Sequence, residues 1–111
     1  GGERSLMTDK GEVFSALIRI AYQNDIKVLF TPLEASDGRI LGNKIAIRCG
    51  MGIDNINYNL AHELAHYFLH YNKGILRESP LFDIYEAQAD KFAKIILNIV
   101  DATICGKGVS A

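Results

Sequence analysis

Asn59-Leu60-Ala61-His62-Glu63-Leu64-Ala65-His66-Tyr67-Phe68-Leu69-His70 places a His-Glu-x-x-His run inside an apolar stretch. Ile56, Leu60, Ala61, Leu64, Ala65, Phe68 and Leu69 recur at helical spacing, so the stretch reads as a helix with one buried face. Two imidazoles four residues apart on a helix are about 40° apart around the axis and about 6 Å apart along it. His62 and His66 can therefore reach one divalent ion. Glu63 is turned off the axis of that pair, toward a water on the metal rather than the metal itself. This is the zinc-hydrolase arrangement, with the glutamate as general base.

A catalytic zinc site takes three protein ligands and keeps one position open for water. His70 is one turn past His66, but it is about 12 Å further along the axis than His62. It reads as a helix-surface or second-layer residue. A metzincin extension would need Gly and His where Leu69 and Asn72 stand, and no histidine follows His70. Glu86 is the better candidate, on a helix of its own. Asp90, four residues later, shares its face and can accept a hydrogen bond from the free ring nitrogen of a ligand histidine. Competing readings stand beside these. Asp83-x-x-Glu86 is also a capping box, which would give Glu86 a backbone role. Asp90 could be a solvated charge, and the histidines could decorate an amphipathic surface helix.

Working outward, Asp9 and Glu12 look like a capping box for a first helix with Val13, Ala16, Leu17, Ile20 and Ala21 on its core face, ended by Asn24-Asp25. Ile26, Val28 and Phe30 suggest a short strand closed by Thr31-Pro32, and residues 34–38 a polar loop. Arg39-Ile40-Leu41 and the run 44–48 flank Gly42-Asn43, which suits a two-residue hairpin turn with positive φ. Ile45, Ile47 and Cys49 are expected to point inward. Asp54 is the expected N-cap of the motif helix, and Gly74 its stop. A loop over 72–80 precedes a last helix from about Asp83 to Val100 with Ala89, Phe92, Ala93, Ile96 and Val100 inward. The order is α-β-β-β-α-α. The expected fold is α+β: a short, mainly antiparallel three-stranded sheet packed on the motif helix and the Glu86 helix.

The 111 residues are 49% apolar and 23% charged, with a net charge of −1. These values suit one globular domain and give no electrostatic case for binding nucleic acid directly. Residues 9–100 are expected to form it. Residues 1–8 read as a disordered start, a cloning remnant or the cut edge of a longer protein, and residues 101–111 as a frayed, Gly-rich tail. No apolar run is long enough to span a bilayer, and no secretory leader is seen. Cys49 and Cys105 are far apart and lack a Cys-x-x-Cys partner, so they read as idle or buried thiols in a reducing compartment. The expectation is a cytoplasmic protein.

The 59–70 stretch resembles the active-site helix of ImmA/IrrE-type metallopeptidases. Glu86-Ala87-Gln88-Ala89-Asp90-Lys91-Phe92-Ala93 is similar to their second motif, Glu-x-x-Ala-Asp-x-Phe-Ala. The resemblance covers about residues 39–97. It implies a small gluzincin-like fold, with His62, His66 and Glu86 as zinc ligands, Glu63 as base and Asp90 behind the ligands. It also implies an endopeptidase acting on a protein partner, such as a repressor of a phage or mobile element.

Tyr58, Tyr67, Tyr71 and Tyr85 are candidate oxyanion donors. An exposed strand edge, taken as residues 44–48, could hold an extended substrate. The same ligands would also serve a zinc-stabilised regulator that masks a repressor or antitoxin without cutting it. Imidazole and carboxylate suit Mn, Fe or Ni as well.

Overall fold

A computed structural model describes residues 9–71 and 78–109. The elements are α1 (Lys10–Gln23), β1 (Lys27–Thr31), β2 (Gly38–Leu41), β3 (Lys44–Arg48), α2 (Ile53–His70) and α3 (Phe82–Val109). The α+β class and the element order expected from the sequence are both present. Expectations for residues 1–8, for Gly74 and for most of the 72–80 loop lie outside the described residues.

Asp9 caps α1, its Oδ1 accepting the N–H groups of Gly11 at 2.8 Å and Glu12 at 3.3 Å. Val13, Leu17 and Ala21 are the buried stripe of that helix. Asn24 closes it, and Asp25, at a φ of 57°, turns the chain into β1.

The sheet is mixed, and this corrects the mainly antiparallel expectation. β3 lies in the middle, parallel to β1 and antiparallel to β2. The hairpin is as expected: Leu41 pairs with Lys44 across Gly42-Asn43, and Gly42 takes a φ of 62°. That hairpin inserts its second strand beside β1, so β3 runs parallel to it. Residues 44–48 are therefore paired on both sides and cannot be a free edge; the open edges belong to β1 and β2. Ile45 and Ile47 are fully buried as expected. Cys49 is exposed instead, because β3 stops at Arg48 and Gly50, at a φ of 89°, carries the chain away. Cys49 and Cys105 are not joined in a disulfide.

The N-cap of α2 is Gly52, not Asp54. Asp54 is the second residue of the helix, where its charge suits the helix dipole, and it pairs with Lys10 Nζ at 2.8 Å. Asn57 Nδ2 donates to Lys10 O at 3.0 Å, tying α2 to the start of α1. From Leu60 to His66 every residue is buried, because α2 is packed against α1, α3, β2 and β3 at once. An amphipathic surface helix is thereby excluded.

α3 does not fray at Asp101. It continues through Val109, with Ile104 packed one turn beyond Val100 on the same core. The helix runs through Gly106 although a helical glycine costs about 1 kcal/mol. No helix among the described residues is long and apolar enough to cross a membrane.

Candidate metal centre

The pairing of α2 with α3 builds the site. Ala61 and Ala65 on α2 and Ala89 and Ala93 on α3 are all fully buried, and small residues let two helices approach closely. Glu86, about one turn into α3, is thereby brought onto the histidine pair. His62 Nε2 and His66 Nε2 lie 3.1 Å apart. Glu86 Oε2 is 2.5 Å from His66 Nε2, and Oε1 is 3.4 Å from His62 Nε2. One ligand atom from each residue falls within 4.8 Å of the other two. The carboxylate of Glu86 thus goes to the histidines rather than to capping its own helix.

These atoms fit a cation. Bare imidazole nitrogens and carboxylate oxygens offer one another only lone pairs, so packing them this closely calls for a proton or a metal ion between them. Tetrahedral ligands around zinc are separated by about 3.3–3.5 Å, given bonds of about 2.0–2.2 Å. The His62–His66 separation of 3.1 Å is near that span, while the two oxygens of Glu86 are divided between the rings, Oε1 toward His62 and Oε2 toward His66. Burial lowers the pKa of His66 below its ordinary 6.5, with the Glu86 charge opposing and the neighbouring His62 and His70 adding to the fall. The neutral ring, the form that can ligate, is favoured.

Asp90 stands behind His62, its Oδ1 2.9 Å from Nδ1. The approach is close but outside hydrogen-bond alignment. Tyr58 donates its hydroxyl to the same Oδ1. Burial, then the bond and charge of Asp90, then the charge of Glu86 push the Tyr58 phenol from 10.0 up to about 12. Its proton is firmly held.

Glu63 is 5% exposed and faces the start of β2. A Cβ added to Gly38 would lie 3.3 Å from Glu63 Oε2 and 3.3 Å from Ile47 Cδ1. The approach to Gly38 is stapled by Arg48, whose Nη2 donates to Glu34 O at 3.2 Å and Ser36 O at 3.1 Å. Its backbone N–H also donates to Asp37 O at 2.8 Å.

His70 belongs to a second layer rather than the surface: it is 4% exposed, with Nδ1 3.1 Å from His66 Nδ1 and Nε2 2.8 Å from Gln88 Oε1. Of the four tyrosines, Tyr58 is committed to Asp90 and Tyr85 stacks on His70 with ring centroids 4.5 Å apart. Tyr67 and Tyr71 line a cavity of about 40 Å³ with Ile40, His66 and His70. A concavity of about 680 Å³ between α1 and the C-terminal half of α3 contains none of the triad.

Gly38 and Gln88 were not legible as site residues, and Tyr58 was read as a candidate oxyanion donor rather than as the partner of Asp90. Tyr58 is four residues before His62, one turn away on the same face, which is the one signal that could have marked it. Gly38 and Gln88 carry no such signal.

Fold and site together define an α+β domain with a candidate metal triad shared by two helices. Compared with protein-family models, curated proteins and solved structures, the chain matches none.

Proposed function

We propose that this domain is a zinc-dependent endopeptidase of the ImmA/IrrE kind, cutting a regulatory protein such as a phage or mobile-element repressor. The observation that carries the reading is the meeting of His62, His66 and Glu86 ligand atoms, with Glu63 on the same helix beside an open strand edge. Two imidazoles and a carboxylate are a donor set that suits catalytic zinc. Bound there, zinc supplies Lewis acidity that activates water at neutral pH and polarises a carbonyl. Glu63 takes the proton of the attacking water and returns it to the amide nitrogen as the peptide C–N bond breaks. Asp90, bonded by the Tyr58 hydroxyl, stands beside His62 Nδ1, across the ring from the Nε2 that faces the triad.

The substrate lies extended along β2, the strand edge next to Glu63. Arg48 N–H bonds Asp37 O in the same ladder phase as the Leu41–Lys44 closure. Alternation in an antiparallel pair then leaves Gly38 and Ile40 with their backbone N–H and C=O turned away from β3. Those groups can pair with a peptide main chain.

The test is incubation of the zinc-loaded protein with the repressor encoded beside its gene. Wild type should cut it, and Glu63→Gln should keep zinc and fold while cutting stops. Cleavage that persists in Glu63→Gln would remove the general-base role. Zinc-dependent binding of the repressor without any cut would replace the enzyme with a masking regulator.

A further inference from the structure

We infer that His70, oriented by Gln88, is a positioning residue that fixes the tautomer of His66 and so presents a bare Nε2 to the triad. The inference rests on the metal-site reading above but concerns residues outside the triad.

It follows from the bonds taken in order. An amide oxygen can only accept, so the 2.8 Å contact between Gln88 Oε1 and His70 Nε2 places a proton on that nitrogen. A neutral His70 then has a lone pair at Nδ1. That nitrogen lies 3.1 Å from His66 Nδ1, so His66 must donate there. A neutral imidazole protonated at Nδ1 is bare at Nε2. Nε2 of His66 is the atom that lies 3.1 Å from His62 Nε2 and 2.5 Å from Glu86 Oε2. One acceptor on the surface side of α3 therefore dictates which nitrogen of a buried ring on α2 faces the cation.

The surroundings hold this chain in place. His70 and His66 are four apart on α2, so one ring is stacked above the other along the helix, with centroids 5.3 Å apart. Tyr85 and Gln88, three apart on α3, take His70 between them: Tyr85 against the ring face and Gln88 at its far nitrogen. His70 cannot double as a ligand in this arrangement, because its nitrogens are directed at His66 Nδ1 and Gln88 Oε1 rather than at the point where the triad's ligand atoms meet. The carboxylate or carbonyl that commonly orients a metal-bound histidine is here replaced by a second imidazole.

The test separates a hydrogen-bonding role from a packing role. Zinc affinity is measured by competition with a chelating dye for wild type, His70→Phe and His70→Asn. Phenylalanine keeps the bulk and the stack on Tyr85 but has no acceptor; asparagine loses the ring but sets an oxygen where Nδ1 stood. His70→Phe should bind zinc about 10–100-fold more weakly, while His70→Asn stays within a few-fold of wild type. In the zinc-loaded wild type, nitrogen NMR of the imidazoles should show His70 protonated at Nε2 and bare at Nδ1. Equal affinity for zinc in His70→Phe, or a His70 protonated at Nδ1, overturns the relay while the triad stands. Failure of the wild type to bind zinc removes the triad and the relay together.

Discussion

Gly38 is packed against Glu63 so closely that a single added methyl group at position 38 would stand 3.3 Å from Oε2. An added side-chain carbon would require Glu63 or Ile47 to give by a few tenths of an ångström. Gly38→Ala should fold with a small loss of stability. Gly38→Val should cost about 1–3 kcal/mol, as overpacking does, and slow cleavage beyond what its lowered Tm explains. Thermal melts beside activity at a temperature well below both Tm values check this. Full activity in Gly38→Val would show that the contact has slack.

The triad should reveal itself through stability. A ligand at 100 times its Kd stabilises the folded state by about 2.7 kcal/mol, a Tm rise on the order of 10 °C for a domain of this size. Zinc should produce such a rise and a chelator should reverse it. In Glu86→Gln the rise should shrink strongly, since a neutral amide replaces the one anionic ligand. Calorimetry with and without zinc reads both.

Tyr58→Phe tests the support behind His62. It removes the hydroxyl that Asp90 accepts and leaves the ring packed near His62, where centroids are 6.0 Å apart. Zinc affinity should fall toward the 10–100-fold range typical of partners behind a ligand, with Asp90→Ala at least as damaging. The raised phenol pKa adds a second readout. Its contribution to stability is present below pH 10 and lost as pH rises through about 12. A tyrosinate absorbance step near pH 12 should vanish in Tyr58→Phe.

Acid should act on the metal-free protein through His66. Because burial holds its folded pKa below 6.5, the unfolded chain takes up a proton there before the folded one does. Stability present above 6.5 is therefore lost as pH falls through the lower, folded value. Denaturant melts of the chelated protein across that range should show the decline, and His66→Leu should flatten it.

The extension of α3 predicts a cost for trimming it. Ile104 adds a turn of apolar contact past Val100, so Ile104→Asp should lower Tm measurably while a change at exposed Ala102 does not. Equal Tm values would mean that the last turns of α3 contribute no stability.

Much of the fold was readable because its cues are local. Asp9 accepting the N–H groups of Gly11 and Glu12, the Gly42-Asn43 hairpin and the apolar period of α2 all depend on residues within a few positions of one another. Misreadings occurred where the deciding neighbour is remote. Cys49 continues the inward alternation of Ile45 and Ile47, yet the strand stops before it. Gly106 and Gly108 look like a frayed end, yet Ile104 reaches back to the core.

His62, Glu63 and His66 could be picked out from spacing alone, since helical periodicity sets which side chains share a face. Glu86 could be nominated by type and by its partner Asp90, but its arrival on the histidines required α2 and α3 to pack. Only packing could put Gly38 against Glu63, seat β3 between β1 and β2, or hand His70 to Gln88. Gly38–Glu63, His70–Gln88 and the pairing of β1 with β3 join residues 17 to 25 positions apart, across interfaces whose register a linear pattern does not encode.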